Sequence, residues 1–119
     1  MPYFRLETNV PQEKIPKEFA ATLCQILSRS LGKPLGYCAA TVIGGVNLSF
    51  GGTFEPAAQA TLMSIGGLGI AENKMHSKEL FAAIEQTIGV PRSRMYIAYN
   101  NAPTSDVGYN GTTFHDLFG

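Results

Sequence analysis

The sequence predicts an α+β fold of tandem βαβ units, with a four-stranded sheet and two helices on one face in the ferredoxin-like arrangement. Three observations carry this. A shift of 57 positions along the 119-residue chain lays Leu23, Leu27 and Leu31 on Leu80, Ile84 and Ile88. The same shift lays Gly32 and Pro34 on Gly89 and Pro91. Runs rich in Tyr, Val, Ile and Thr, bounded by turn residues, flank both stripes as strands do.

In chain order, the first strand runs Pro2–Thr8. The first helix spans about Lys17–Leu31, where the i, i+4, i+8 leucines form one apolar face widened by Phe19 and Ile26. Gly32 at the left-handed end position and Pro34 beyond it stop the helix. A second strand follows at Tyr37–Ile43. The loop Gly44–Phe54, with four glycines, joins the halves. The second half repeats the order: strand Ala57–Ile65, helix about Asn73–Ile88 widened by Phe81, and strand Met95–Tyr99. One domain, 1–119, is expected, with pseudo-repeats at about 2–56 and 57–114 and a short tail at 115–119. Both helices belong on one face of the sheet. Ala39, Thr41, Ile43, Thr61, Met63 and Ile65 hardly alternate with charges, so the other face reads as apolar and in need of cover from another subunit.

Composition agrees with a covered surface. Only 15% of residues are charged, against about 25% in typical soluble domains, while 45% are apolar. Nine basic and nine acidic residues cancel, which leaves no basic field for nucleic acid or an anionic membrane. Two cysteines cannot build a disulfide framework or a four-thiolate metal site. The start, MPYFRLETNV, lacks the apolar run of a signal peptide, and no stretch reaches the length of a membrane span. The expectation is a cytosolically made protein with reduced thiols.

Pro2 has two readings. Removal of Met1 would leave a secondary amine, and apolar burial or a nearby cation would lower its pKa and make it a neutral base at physiological pH. The plain alternative is an ordinary second residue at a frayed terminus, although Tyr3–Leu6 reads as a strand beginning directly after it. Lys33 could present its ammonium to an anionic substrate and lower the pKa of a nearby amine; its plain role is to complement the negative end of the helix dipole. The segment Ser64–Gly69 is glycine-rich between strand and helix, but the third glycine of G-x-G-x-x-G is missing and Glu72 would repel a phosphate, so nucleotide binding is rejected. His76, near the start of the second helix, is expected on its surface. His76 and His115 have no carboxylate or thiol at metal-ligand spacing, so no metal and no cofactor are expected. Cys24 and Cys38 read as small core residues.

Pro2, Lys33 and the glycine segment together make the chain resemble the macrophage migration inhibitory factor family of tautomerases over essentially its whole length. The markers are Met1–Pro2, Thr8–Pro11, Gly32–Pro34, Ser49–Gly52, Glu55–Pro56, Ser64–Gly66, Met95–Ile97 and Asp106–Gly111. The Phe50–Gly52 and Val107–Asn110 segments look closer to the inhibitory factor than to D-dopachrome tautomerase. The resemblance implies a homotrimer whose sheets wrap a central channel, with sites between subunits. It implies Pro2 as the base of keto–enol tautomerisation of phenylpyruvate-like and dopachrome-like substrates. Lys33 and the backbone amide of Ile65 would hold the substrate carboxylate. Tyr37, Val107, Tyr109 and Phe114 would wall the pocket, bordered by Tyr96 of a neighbouring subunit.

The chain also departs from the family pattern. A Cys-x-x-Cys that follows Glu–Pro in the family's best-known member is Ala57 and Ala60 here, so no thiol–disulfide activity from that motif is implied. An asparagine of the neighbouring wall is Ala98, an aromatic usually tryptophan is Tyr109, and the tail His115–Gly119 runs past the usual finish. The family implies a second function class beside the enzyme. This is a cytokine-like protein, cytoplasmic and secreted by a route needing no signal peptide, which binds a cell-surface receptor such as the invariant chain and whose turnover is vestigial.

Overall fold

The computed structural model describes residues 1–118. The chain forms β1 (Tyr3–Thr8), α1 (Phe19–Leu31), β2 (Ala39–Ile43), β3 (Ala58–Ser64), α2 (Ile70–Ile88) and β4 (Met95–Asn101). A hairpin of β5 (Gly108–Tyr109) and β6 (Thr112–Thr113) then leads into α3 (Phe114–Phe118). The 57-residue shift holds in three dimensions. Both long helices end on a left-handed glycine, Gly32 at φ 68° and Gly89 at φ 75°. Pro34 and Pro91 then open matching 3-10 turns, Leu35–Tyr37 and Arg92–Arg94. The first of these turns delays β2 by two residues relative to the sequence reading.

The sheet order is β2-β1-β3-β4. This corrects the ferredoxin-like expectation in one respect: the parallel strands of each βαβ unit lie side by side, and no strand from the other unit separates them. The first strand of each repeat is therefore internal, and β1 pairs antiparallel with β3 from Tyr3↔Met63 to Thr8↔Ala58. The internal strands carry Phe4, Leu6 and Leu62 against the helices, all at 0% exposure. The outer strands add the part-buried Ala40, Val42, Ile97 and Tyr99 and the buried Met95 to the same core. The stripes Leu23–Leu27–Leu31 and Leu80–Ile84–Ile88 meet these strands in one core.

The open face of the sheet also differs from expectation. Its centre is polar rather than apolar: Arg5 Nη2 donates to Glu7 Oε2 at 3.3 Å, and Gln59 Nε2 donates to Glu7 Oε1 at 3.1 Å. Alternation in β1 places Arg5 and Glu7 opposite Phe4 and Leu6. Tyr96 and Ala98 share a cleft of about 300 Å³ with this network.

Asn9 organises the connection between the halves. Its Nδ2 donates to the carbonyls of Leu48, Phe54 and Glu55 at 3.0–3.2 Å, and its Oδ1 accepts from the Ala57 N–H at 2.9 Å. Asn9→Ala is expected to lower stability by about 1–3 kcal/mol, because these groups lose partners in a partly buried place. Urea midpoints at fixed protein concentration measure it. Arg94 braces the same loop, donating to the carbonyls of Pro56 and Glu55 at 3.0 Å and lying 5.4 Å over the Phe50 ring.

Candidate active site

Pro2 is fully buried at the head of β1, where its carbonyl accepts from the Ala39 N–H at 3.1 Å. The terminus is therefore part of the sheet rather than frayed. The chain's terminal amine, on Met1, is held below the ordinary α-amine value, first by burial and then by the Lys33 ammonium, with Cys38 opposing. Burial disfavours the charged amine and a neighbouring cation repels it.

Lys33 is placed by the end of α1. Its N–H donates to the Ser28 carbonyl at 3.1 Å, and Ser28 Oγ donates to the Lys33 carbonyl at 2.6 Å. Ile65 follows β3 directly and begins the turn in which Gly66 and Gly67 take φ 77° and 75°. A Cβ on Gly66 would stand 3.7 Å from Lys33 Nζ, and one on Gly67 would stand 3.6 Å from Leu31. The turn therefore lies against the end of α1, and Lys33 reaches it. A side chain at either glycine would be strained by the positive φ.

The aromatic residues come from the hairpin. Asn110 and Gly111, at φ 54° and 83°, form the two-residue turn with positive φ at both positions that suits a tight hairpin. Tyr109 is thereby stacked on Phe114 at 5.2 Å, and Tyr37 meets both edge-on at 5.5 and 6.1 Å. The Val107 carbonyl accepts from the Phe114 N–H at 3.1 Å and holds the hairpin to α3. The sequence reading missed α3 and Phe118, which stacks on Phe114 at 5.8 Å. Thr113 Oγ1 accepts from the Asp116 N–H and starts this helix. Of the tail 115–119, Gly119 lies outside the described residues.

Tyr96 is not part of that trio. It lies on the outer strand β4 at 71% exposure, and its ring partner is Phe50 at 5.1 Å. Lys33 thus lies near both the terminal amine and the glycine turn, and Tyr37, Val107, Tyr109 and Phe114 contact one another.

His76 contradicts the expectation of a surface position: it is 2% exposed. The 57-residue shift carries the core residue Phe19 onto it, so His76 is the first member of the stripe 76–80–84–88. Reading that stripe one turn further back would have found it. Cys24 and Cys38 sit half-buried at the margin of the core, and burial raises both thiol pKa values. The start of α2 offers no anion seat: Glu72 folds onto Gly69, whose N–H donates to Asn73 Oδ1 at 3.3 Å. That cap also starts the helix at Ile70 rather than Asn73. Among the described residues, no three His, Cys, Asp or Glu side chains cluster as metal ligands would, and no helix is long and apolar enough to cross a membrane.

Comparison with known proteins gives one answer. The family model described as Macrophage migration inhibitory factor (MIF) matches residues 1–115. A macrophage migration inhibitory factor homolog of Trichuris trichiura is 43% identical over 114 residues, covering 96% of this chain and 100% of the relative. The macrophage migration inhibitory factor of Rattus norvegicus is 38% identical, covering 96% and 99%. The solved structure of the factor from Trichinella spiralis superimposes with a TM-score of 0.92 at 41% identity, covering 94% of this chain and 99% of that one. On sequence and fold together, the chain belongs to the macrophage migration inhibitory factor family.

Proposed function

We propose that the protein is a cofactor-free keto–enol tautomerase in which Pro2, freed by loss of Met1, is the general base. The observation that carries this reading is the buried Pro2 at the head of β1, beside a terminal amine, borne by Met1 here, whose pKa burial and Lys33 lower. The substrates are phenylpyruvate-like and dopachrome-like acids. The Pro2 nitrogen takes a proton from the carbon beside the carbonyl, and the resulting Pro2 ammonium gives that proton to the enolate oxygen, so that the enol forms and the amine is restored; the reverse path returns the ketone. Atoms and electrons balance without an oxidant or a second reactant. Lys33 and the Ile65 N–H hold the carboxylate, which orients the acidic C–H toward the amine. Tyr37, Val107, Tyr109 and Phe114 supply the apolar wall.

The working form is a homotrimer. Tyr96 on an outer strand, the uncovered sheet face and the exposed Phe118 at 62% are surfaces that neighbouring subunits would cover, and Tyr96 would then border a neighbour's site. The scarcity of charge fits the same reading.

Lys33→Gln tests two roles at once. Loss of a charge-assisted contact is expected to raise KM for hydroxyphenylpyruvate about tenfold or more. Loss of the cation removes one of the two effects that lower the amine pKa, so the rising limb of kcat/KM against pH is expected to move to higher pH. The sign follows because the neutral amine is the active form. A KM and pH profile matching the wild type would overturn both roles.

The relatives' names favour a second reading, a cytokine-like protein; with it we propose export by a non-classical route and binding to a cell-surface receptor such as the invariant chain. Receptor binding by a Pro2 variant without turnover would support it. Absence of measurable binding to the invariant-chain ectodomain would count against it.

A further inference from the structure

His76 is the one histidine, and the one ionisable side chain, fully buried among the described residues, and the proposed proton transfer does not use it. Its Nε2 lies 2.8 Å from the Gly67 carbonyl oxygen and its Nδ1 lies 2.5 Å from Ser30 Oγ. A carbonyl oxygen only accepts, so Nε2 carries the proton and donates. In the neutral ring Nδ1 is then the acceptor, and the Ser30 hydroxyl donates to it. Both ring nitrogens are therefore committed, one to each of two different segments.

Those segments are the two halves of the carboxylate clasp. Ser30 stands in the last turn of α1, three residues before Lys33, and the Ser28 bonds carry that turn directly into the Lys33 backbone. Gly67 stands two residues after Ile65 in a turn with two successive left-handed glycines. Such a turn has few side chains to hold it and little intrinsic preference for one shape. Ser64 Oγ, donating to the Gly66 carbonyl at 2.8 Å, and Asn101 Oδ1, accepting from the Gly66 N–H at 3.0 Å, fix it from the sheet side. The Nε2–H bond to Gly67 fixes it from the helix side.

We propose that His76 is a positioning residue that sets the Ile65–Gly66 peptide against the Lys33 ammonium and so fixes the spacing of the carboxylate clasp. This rests on the tautomerase reading of the site. His76 touches no reacting atom; it acts through Gly67 on one side and Ser30 on the other. Without it, a part-buried carbonyl and a hydroxyl lose their partners and the glycine turn can rotate away from Lys33. The consequence is selective, because weaker binding follows only for ligands that bear the carboxylate.

The test compares His76→Phe and His76→Gln with the wild type, using hydroxyphenylpyruvate and its methyl ester as paired substrates. Phe is what the matching position of α1 holds at Phe19, so the core volume is kept. The Gln amide can still donate to Gly67. For His76→Phe, KM for the acid is expected to rise about tenfold with kcat within about twofold, because uniform binding is what is lost. Kinetics on the ester should not change, and His76→Gln should recover most of the acid's KM. An unchanged KM for the acid, or equal losses on acid and ester, would overturn the proposal. If His76→Phe does not fold, Ser30→Ala carries the same test, with the same acid-selective rise expected. Should the wild type show no turnover, the tautomerase reading fails, and titration with 3-(4-hydroxyphenyl)propionate decides the clasp separately. Weaker binding of that probe by both His76→Phe and Lys33→Gln supports it. Equal affinity in His76→Phe and wild type, or no binding by the wild type, overturns it.

Discussion

Pro2→Gly is expected to lower kcat/KM for enolisation of hydroxyphenylpyruvate by about 10²–10⁴-fold, the usual worth of a placed general base. The substitution keeps a terminal amine but removes the ring that is packed at the head of β1. The amine is then free to rotate, and the alignment that makes it effective is lost. Retention of Met1 is expected to abolish turnover completely, because the Pro2 nitrogen is then an amide with no basic lone pair. Retention of Met1 leaves the core packing intact, whereas Pro2→Gly removes one buried ring and should lower the thermal midpoint modestly; the oligomeric state should match the wild type in both. Intact mass establishes which terminus is present. In the wild type, kcat/KM should rise with pH through the amine pKa and level off above it. Burial and Lys33 lower the pKa of the amine that Met1 bears, and the same surroundings around the Pro2 nitrogen predict a rise below the ordinary α-amine range. Undiminished turnover in either variant would remove Pro2 from the mechanism.

Much of the fold was legible because its signals are local. The 4-residue stripes, the glycine–proline stops and the 57-residue shift act within a helix or at its end, so helices and strands fall within a few residues of their expected places. Sheet order is non-local. Nothing in the spacing of Phe4, Leu6 and Leu62 says that β1 lies beside both β2 and β3. The Arg5–Glu7–Gln59 network was missed for the same reason, since Gln59 reaches Glu7 only through that pairing. His76 was misplaced by its polarity. Histidine reads as surface unless two hydrogen-bond partners wait inside, and one of them, Ser30, comes from the other half of the chain.

The candidate site was legible in a different way. From the residues alone, Pro2 and Lys33 each kept a plain explanation, and only the resemblance joined them to Ile65 and the aromatic wall. The buried head of β1 weakens the plain explanation of Pro2, since a frayed terminus would not be packed at 0–2% exposure. Asn110–Gly111 carried a hairpin signal that explains how Tyr109 reaches Phe114. Phe118 carried no signal at all, because a five-residue helix lacks the length for periodicity.

Phe4→Ala is expected to cost about 3–5 kcal/mol of stability, a large share of the roughly 5–15 kcal/mol that holds a domain of this size together. Phe4 has 0% exposure and sits on an internal strand, opposite Ala40 on β2 and Leu62 on β3. Its partner Ala40 on β2 is already small, so it offers little volume to fill the cavity on that side. Phe4→Leu, which keeps most of the volume, should cost less than about 1.5 kcal/mol. Arg5→Ala, one residue along on the open face, removes only a half-exposed ion pair and should cost under about 1 kcal/mol. Urea midpoints must be taken at one protein concentration, because assembly raises apparent stability by mass action. A Phe4→Ala loss no larger than that of Arg5→Ala would mean that β1 is not held by the core packing described. The two strand variants also separate stability from chemistry. Phe4→Ala should lower activity only in proportion to the fraction unfolded, and a stabilising osmolyte should restore it. Pro2→Gly, two residues away on the same strand, should stay inactive in a fully folded protein.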